Sequence, residues 1–501
     1  MRFGRENLNI DGHESHRAWA DGPSRLPCEL WGSVLGKLDA SDLLHCAVVS
    51  TGWQAVVDGS SRWQQLAAAR GLEVPAPASP KQAKRTVQRD LLAGINVARG
   101  RYVAREAFPA PEPEEANPGY VTHLAWSPDS TKLAALASDM SVRIFHAASG
   151  SVWMSHTAEP AATMDRDPGV QRVWSPDSSR LAVNYEDDGR TLVFNVAARG
   201  VDVLLKHPGT PAGMAWFPDS VRLATGWLDG WVYVSDAIGG ASTLSVRVIG
   251  ELGVDRPLEL IGFALSPTGH HYGACCDDGT LRLCDAETGL EVLKLTSEPG
   301  RFFNDLSWSP DGSKLVSCSD CWVHIVDVAS GMVRTFEQQD ARGCYWSPDS
   351  TKLATSSRGM TIRVTDPMDA RELLRICHPT GEIWAAWDPT STRLSTASDG
   401  MARLTDIGTG QTLHSLSFSL QRSGSYVFWD RDATRFAVPY LQDSVGVHIV
   451  HVATGSLTFL RRSGVIDSFS WSPDATMMGL CHINKRVCVL DFSPIQDLEC
   501  R

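Results

Sequence analysis

Cysteine and histidine stand at one point of the chain with a spacing that suits a zinc site. Cys318 and Cys321 form a C-x-x-C pair, and His324 follows three residues later. A structural zinc site takes four ligands, and no neighbouring pair supplies the fourth. We therefore expect no metal here. The twelve cysteines lack the spacing of a disulfide framework and indicate a reducing compartment.

Serine and aspartate recur together, which raises the question of nucleophilic catalysis. A hydrolase of the α/β type needs a G-x-S-x-G nucleophile elbow followed by Asp and His, and the chain contains no such elbow. Phosphate-binding loops, zincin helices and dinucleotide fingerprints are also absent from the sequence. Serine and aspartate are common turn formers. The sequence therefore predicts a protein that is not an enzyme and takes no cofactor.

The serine and aspartate residues belong to a motif, Trp-Ser-Pro-Asp, that repeats through most of the chain. Successive copies start 38 to 49 residues apart. Self-similarity at such a period is typical of a repeat architecture. Intact copies begin at Trp126, Trp174, Trp308, Trp346 and Trp471, and altered copies begin at Trp216, Leu265, Trp387 and Trp429. Nine copies predict nine units.

Each unit has the pattern of four short strands. In residues 304–336, Leu306 and Trp308 alternate with polar neighbours, Pro310 to Gly312 suit a tight turn, and three further strands are predicted at 314–318, 322–327 and 332–336. Four antiparallel strands per forty residues are typical of a propeller blade. We predict a mainly β fold, a closed β-propeller of about nine blades. Eight is the alternative, with the unit around 173–195 or 426–450 expelled.

The last unit is one strand short. Its third strand ends at Asp491-Phe492, and only nine residues follow. Residues 101–108 have a strand pattern without a blade of their own, so we predict that they complete the last sheet and close the ring. The propeller then spans residues 101–492, and 493–501 form a tail.

The N-terminal part has a different periodicity. Residues 1–25 are polar and predict a disordered lead-in. Residues 26–72 place apolar side chains at three- and four-residue steps, which predicts three short helices. A helical linker, 73–100, follows. The three helices carry more large apolar side chains than they can hide among themselves, so some of that surface needs a partner.

Both parts resemble known families. The repeats resemble degenerate WD-type repeats over residues 121–492. They keep the acidic end of the third strand, as at Asp327, but lack the tryptophan beside it. They also lack the Gly-His pair behind that family's buried His-Ser-Asp-Trp network. The helical segment is similar to an F-box at Leu26, Pro27, Leu30, Val34, Leu35, Leu38, Leu43, Leu44, Val48 and Trp53.

These resemblances imply a substrate-recognition subunit of a cullin-RING ubiquitin ligase of the SCF type. The F-box, through the ten residues just given, would bind the adaptor subunit that joins it to the cullin, and the propeller would hold a target protein. Two alternatives remain open. The helices are a private cap on the propeller, or the propeller is a scaffold for a complex unrelated to ubiquitination.

One pair of residues stands out as a target-binding candidate. In relatives that read phosphorylated targets, arginines project from the start of a first strand and from the turn after a second strand, and Arg342 and Arg358 match those places. Two guanidiniums can bind one phosphate. The matching first-strand places elsewhere hold Thr122, Asn304 and Asp467, so no ring of arginines is expected. The same rim should carry two long insertions, 157–169 and 250–258.

Charge and hydropathy argue against some classes of binding partner. The 501 residues include 46 basic and 58 acidic side chains, a net charge of −12, which argues against a nucleic-acid surface over the whole protein. The N-terminus lacks the apolar core of a signal peptide, and no run of the sequence reaches membrane-spanning length. We expect no nucleic-acid or membrane partner and a location in the cytosol, the nucleus or both.

Overall fold

The computed structural model describes Gln65, residues 103–108 and most of 121–492. Gaps in that last range fall at 138–139, 158–169, 186–188, 208, 250–258, 299–301, 320, 380–382, 399–400, 418–427, 430–433, 441–445, 454, 456, 462–465 and 483–486. The chain divides into two compact units, Met1–Arg101 with Phe492–Arg501, and Tyr102–Asp491. The predicted lead-in, linker, tail, long insertions and ten adaptor-binding residues lie outside the described residues. Within the described residues, no helix has the length and apolar character to cross a bilayer.

The second unit consists of nine four-stranded antiparallel sheets. Each of the first eight blades uses four consecutive strands, and the prediction of nine blades is confirmed. The strands of blades 1 to 4 are β2 (Val121–Trp126), β3 (Lys132–Ala137), β4 (Ser141–His146), β5 (Val152–Thr157), β6 (Val170–Trp174), β7 (Arg180–Tyr185), β8 (Arg190–Asn195), β9 (Gly200–Lys206), β10 (Pro211–Trp216), β11 (Arg222–Trp227), β12 (Trp231–Asp236), β13 (Ser242–Arg247), β14 (Leu260–Leu265), β15 (His271–Cys276), β16 (Thr280–Asp285) and β17 (Glu291–Thr296).

Blades 5 to 8 follow the same order, and the two units that the eight-blade alternative would have expelled both lie in the ring as blades 2 and 8. Their strands are β18 (Phe303–Trp308), β19 (Lys314–Ser319), β20 (Trp322–Asp327), β21 (Val333–Glu337), β22 (Ala341–Trp346), β23 (Leu353–Ser357), β24 (Thr361–Asp366), β25 (Arg371–Cys377), β26 (Trp384–Trp387), β27 (Arg393–Ser398), β28 (Met401–Asp406), β29 (Thr412–Ser417), β30 (Phe428–Trp429), β31 (Arg435–Tyr440), β32 (Gly446–His451) and β33 (Leu457–Arg461).

Blade 9 closes the ring with a strand from the other end of the sequence. It contains β34 (Ile466–Trp471), β35 (Met477–His482) and β36 (Val487–Asp491), and its fourth strand is β1 (Val103–Phe108). β1 runs antiparallel to β36, with Val103 opposite Asp491. The predicted closure by residues 101–108 is therefore confirmed, and it pairs an edge of β36 that would otherwise be open.

Burial within a blade depends on strand position. In the second strands, such as β19 and β27, five consecutive residues are buried, because these strands pack against both neighbouring blades. Fourth strands such as β17 are largely exposed. The core therefore lies between the blades and not within any one of them, which is why a single blade cannot fold alone.

In seven of the nine blades, the motif tryptophan ties the blade to the preceding one. The indole Nε1–H of Trp346 donates to the carbonyl of Ser307 in blade 5 at 3.3 Å. Six other motif tryptophans make the same bond to the residue that precedes the motif in the preceding blade. They are Trp126, Trp174, Trp216, Trp308, Trp387 and Trp429. The repeat of the tryptophan in the sequence thus reflects a repeated contact between blades.

The motif serine and aspartate organise the first turn. Ser347 Oγ donates to Asp349 Oδ1 at 2.6 Å and accepts the N–H of Lys352 at 2.8 Å. Partial burial opposes ionisation of Asp349, but the hydrogen bonds from Ser347 and Thr351 and the charge of Lys352 outweigh it and lower the pKa to about 2. The pKa is lowered in four equivalent aspartates as well, namely Asp129, Asp177, Asp219 and Asp311.

The residue after the motif aspartate connects adjacent turns. Ser350 has φ of +61°, in the left-handed region that few non-glycine residues adopt. Its Oγ accepts the N–H of Asp311 from the preceding blade at 3.1 Å. The equivalent serines in other blades, which are Ser130, Ser178, Ser220 and Ser391, have φ from 60° to 62° and accept the same bond. Serine replaces glycine here because its hydroxyl forms a contact that glycine cannot.

One blade carries a buried histidine network despite the absence of a Gly-His pair. His378, before blade 7, is 5 % exposed, and its Nδ1 and Nε2 lie 2.9 and 2.8 Å from the hydroxyls of Ser398 and Thr396. Burial, with a smaller contribution from the charge of Arg403, lowers the pKa of His378 to about 4. Gln338 holds the corresponding place before blade 6 and bonds to Thr355. Part of the network that the missing motif argued against is therefore present.

Candidate functional site

Arg342 and Arg358 lie at adjacent points of blade 6. Arg342 is the second residue of β22, at a bulge where the register with β23 shifts between Ala341 and Gly343. Arg358 begins the turn after β23, and its backbone N–H donates to the carbonyl of Asp340 at 3.0 Å. The hairpin thus brings together the two arginines that the sequence singled out.

The loops that carry the two arginines have unusual backbone conformations. Asp340, two residues before Arg342, has φ of +54°, and Met360, two residues after Arg358, has φ of +58°. The N–H of His378 donates to the carbonyl of Met360 at 2.8 Å, so the loop before blade 7 supports the turn. Such conformations in non-glycine residues persist where surrounding bonds enforce them, and they are frequent at binding sites.

A cavity of about 420 Å³ opens between these loops. We call it the arginine cavity. Its lining comes from blades 5, 6 and 7 and combines two cations, one carboxylate, three hydroxyls and apolar surface. The lining residues are Asp305, Arg342, Gly343, Cys344, Tyr345, Ser356, Ser357, Arg358, Ile383 and Trp384.

Gly343 keeps the cavity open. A Cβ on this residue would lie 2.8 Å from Tyr345 Oη and 2.9 Å from Ser356 Oγ, closer than real Cβ atoms approach other groups. Any larger residue would therefore push Tyr345 or Ser356 out of place. The requirement for glycine here comes from packing at the cavity wall.

Asp305 supplies the negative charge of the cavity, and its contacts are to the backbone. Its Oδ2 accepts the N–H of Cys344 at 2.8 Å, and its Oδ1 accepts the N–H of Leu306 at 2.9 Å. Burial raises the pKa of Asp305 despite these two bonds. The carboxylate anchors blade 6 to blade 5 through the N–H of Cys344.

The two arginines differ from the other arginines of blade 6. Arg363 and Arg375 form ion pairs with Glu372, and Arg371 forms one with Asp369. Within the described part of the chain, neither the Arg342 nor the Arg358 guanidinium has a hydrogen-bond or ion-pair partner, and both side chains are exposed. Two cations at one cavity mouth repel each other, so an anion that binds both would relieve that repulsion.

The cysteine pair that suggested zinc is not organised as a metal site. The near neighbour of Cys318 Sγ is Cys344 Sγ in blade 6, at 2.6 Å, and not Cys321. Among the described residues, no group of three or more His, Cys, Asp or Glu side chains is arranged to hold a metal ion. His324 packs edge-on against Phe303, and burial lowers its pKa.

Sequence reasoning missed most of the cavity. Asp305, Tyr345 and Trp384 belong to first strands whose pattern showed only alternation. Their positions relative to Arg342 depend on how three blades stack, and no sequence pattern within one repeat predicts that stacking. The bulge at Arg342 was equally hidden, although Gly343 beside the arginine was a usable sign of close packing.

Comparison with known proteins agrees with both parts of the chain. Residues 23–65 match the family model of the F-box domain. Residues 114–146, 292–327 and 331–366 match that of the WD domain, G-beta repeat.

Similarity to individual proteins is lower. The chain is 28% identical over 247 residues to Protein HIR1 of Mycosarcoma maydis, an alignment that covers 43% of this chain and 23% of that protein. The chain therefore spans less than a quarter of that relative's length.

Two solved structures resemble the propeller. The Dos1 propeller superposes with a TM-score of 0.52 at 15% identity, covering 78% of this chain and 97% of that one. The C-terminal WD40 domain of Sif2 has a TM-score of 0.49 at 14% identity, covering 78% and 98%. The Dos1 likeness supports the propeller fold and nothing more.

Proposed function

We propose that this F-box/WD-repeat protein is the substrate-recognition subunit of a cullin-RING ubiquitin ligase of the SCF type. The observation that carries the proposal is the F-box match at 23–65 in the same chain as a propeller with an open, cationic cavity. An F-box supplies attachment to a ligase, and a propeller supplies a rigid surface for a target. The combination suits a receptor that acts without catalysing a reaction itself.

The first part of the proposal concerns how the F-box binds the adaptor subunit. F-box domains bind this adaptor through the leucine-proline entry and the apolar positions that follow, and the chain has these residues from Leu26 to Trp53. Their apolar character also fits a surface that needs a partner. We propose that these residues bind the adaptor and, through it, the cullin.

The second part of the proposal concerns how the arginine cavity binds the target protein. Arg342 and Arg358 offer two guanidiniums that have no partner among the described residues, and Tyr345, Ile383 and Trp384 offer apolar surface beside them. Guanidiniums bind phosphate and carboxylate through paired hydrogen bonds. We propose that the cavity binds an anionic group of the target with an apolar residue next to it, and that phosphate is the group the two cations fit best.

Ubiquitin transfer in such a complex comes from the other subunits. The receptor contributes by raising the concentration of the target near the loaded enzyme, which accelerates transfer through proximity alone. We propose that this protein contributes positioning and no chemical group. The scatter of the twelve cysteines without a disulfide-framework spacing also supports our proposal of a cytosolic or nuclear location.

Co-purification tests the proposal. The tagged full-length chain should bring down the adaptor and a cullin, and Leu26→Ala with Pro27→Ala should remove both. Arg342→Ala with Arg358→Ala is the matched control, because it changes the propeller alone and should leave adaptor and cullin binding intact. If the leucine-proline variant still binds both subunits, or if wild type binds neither, the chain is instead a scaffold unrelated to ubiquitination.

A further inference from the structure

The sulfur atoms of Cys318 and Cys344 lie 2.6 Å apart. That separation is much nearer the ~2.05 Å of a covalent S–S bond than a contact between two sulfurs that are not bonded. Cys318 lies on β19 of blade 5 and Cys344 on β22 of blade 6, so the two side chains meet between facing sheets.

We propose that Cys318 and Cys344 form a reversible disulfide between blades 5 and 6 when the protein meets hydrogen peroxide. The proposal is independent of the function proposed above and adds a modification site to the propeller.

Access to oxidant differs between the two thiols. Cys318 is 0 % exposed, whereas Cys344 is 8 % exposed and lines the arginine cavity. Cys344 is therefore the one of the two cysteines that lies at the cavity, and we assign it the first step. Burial raises the pKa of Cys344, which makes the thiolate scarce and the first step slow.

The chemistry balances with one molecule of peroxide. The Cys344 thiolate attacks one peroxide oxygen, the O–O bond breaks, and the released hydroxide takes a proton to become water, leaving a sulfenic acid. Cys318 sulfur then attacks the Cys344 sulfur and displaces the hydroxyl, which leaves as a second water with the Cys318 proton. The two sulfurs are oxidised, the two peroxide oxygens are reduced, and a thiol reductant reverses the change.

Neighbouring cysteines do not compete for this bond. Among the described residues, the hydrogen-bond neighbour of the Cys275 sulfur is the hydroxyl of Ser317, at 3.6 Å. Cys321 follows Cys318 by three residues but lies after the end of β19. The described residues that could hold a metal do not converge here either. Disulfide formation is therefore the chemistry that the sulfur geometry favours.

The bond would act on the cavity wall. Cys344 stands between Gly343 and Tyr345, which both line the arginine cavity, and its N–H donates to Asp305. A disulfide to Cys318 fixes this stretch of β22 against blade 5. Oxidation thereby limits movement of the wall that carries Arg342.

The test is peptide mapping of the native full-length chain under non-reducing conditions. The chain is treated with hydrogen peroxide, remaining thiols are alkylated, and trypsin cleaves after Lys314, Arg334, Arg342 and Lys352. We expect peptide 315–334 linked to peptide 343–352, with separation on addition of dithiothreitol. Exposed Cys377 reports that oxidant was active.

Peptide 315–334 contains both Cys318 and Cys321, so single-cysteine variants are needed to show which of the two is bonded to Cys344. The link should persist in Cys321→Ala and disappear in Cys318→Ala, with melting temperatures confirming that both are folded. The proposal is overturned if native wild type shows no link while Cys377 is oxidised. It is also overturned if the link forms only after unfolding in urea, or if it depends on Cys321.

Discussion

The indole Nε1–H of Trp126 donates to the backbone carbonyl of Ser470, 344 positions later in the chain, at 3.2 Å. The bond joins blade 1 to blade 9 and repeats, across the ring closure, the contact that six other motif tryptophans make within it. Asp474 N–H and Ser130 Oγ add a second such bond at 2.9 Å. The ring therefore closes with the same contacts that join its other blades.

Replacing Trp126 with phenylalanine should weaken this junction. The variant loses packing volume and leaves the partly buried Ser470 carbonyl without its indole donor, so we expect the free energy of unfolding to fall by about 1–3 kcal/mol. Urea unfolding measures it. Trp231→Phe is the control, since that indole lies on a third strand and stacks on Tyr233. Equal destabilisation by the two variants would show that the indole bond has no special role.

Breaking the pairing of β1 should destabilise the whole propeller. In an antiparallel pair, one of every two adjacent N–H groups faces the partner strand, so Ala104→Pro with Arg105→Pro removes at least one bond to β36. We expect a lower melting temperature for the entire β transition, because an open edge on blade 9 releases the ring. Deletion of residues 101–108 should have the same effect.

The control for β1 is Ala104→Val with Arg105→Thr, which keeps strand-forming residues at both places. This variant should melt like wild type. A truncated chain starting at Tyr120 that melts at the wild-type temperature would rule out a stabilising role for β1.

His378 should make stability depend on pH in mild acid. Its pKa in the folded protein, about 4, lies below its ordinary value of 6.5, so the unfolded chain binds the proton more tightly. The stabilisation is complete above pH 6.5 and is lost as pH falls toward 4, by roughly 2–3 kcal/mol. Melting temperature measured from pH 7 to 4 should show this loss.

His378→Gln tests the assignment, since Gln338 holds the corresponding place before blade 6. Burial also lowers the pKa values of other histidines, which are His156, His207, His324 and His448. The variant should therefore show a smaller loss between pH 6.5 and 4, and it should keep any loss below pH 4. That lower loss belongs to the motif aspartates, whose lowered pKa values favour the folded state until pH approaches 2. An unchanged step in the variant would assign it to another group.

Arg342→Ala with Arg358→Ala should reduce target capture tenfold or more. Charge-assisted bonds to an anion contribute about 1.5–3 kcal/mol each, and both would be lost. Pull-downs with the full chain from untreated and phosphatase-treated lysate should show proteins that depend on both phosphorylation and the two arginines. Melting temperature should stay unchanged, because neither side chain has a described partner.

Arg371→Ala with Arg375→Ala is the matched control in the same blade. These arginines pair with Asp369 and Glu372, so their removal changes net charge equally and leaves the cavity intact. Target capture should persist. If neither phosphatase nor the Arg342 and Arg358 variant alters the captured proteins, the two arginines are ordinary surface residues.

The fold was largely predictable from the sequence because nine copies of one motif each mark the first strand and first turn of a blade. Proline or aspartate marks each first turn, and tryptophan marks every first strand but one. The unit that begins at Leu265 was therefore found from the spacing of its neighbours. The missing strand of blade 9 was found by counting strands. These signals are local or periodic and survive changes at single positions.

The candidate site was predictable only in part. Arg342 and Arg358 were found from their places in one repeat, but their cavity joins three blades. The contact of Cys318 with Cys344 shows the same limit, since the nearby Cys321 was the more obvious partner in sequence. His378 shows a second limit of sequence prediction. The glycine that precedes this histidine in the WD-type Gly-His pair is missing, yet His378 still forms the buried network with Ser398 and Thr396. Contacts across blades depend on stacking, which no single repeat encodes.

The closure by β1 has a consequence for synthesis of the protein. β1 is synthesised before the other strands of the propeller, yet its partner strand β36, which includes Asp491, lies at the other end of the propeller. At about 5–20 residues per second, β1 waits on the order of 20–80 s for β36 to be translated. Throughout that interval a strand carrying Arg105 and Glu106 has no sheet to join, and its charges oppose pairing with other nascent chains. The final folding step of the propeller therefore waits until β36 has been synthesised, when the two ends of the domain meet.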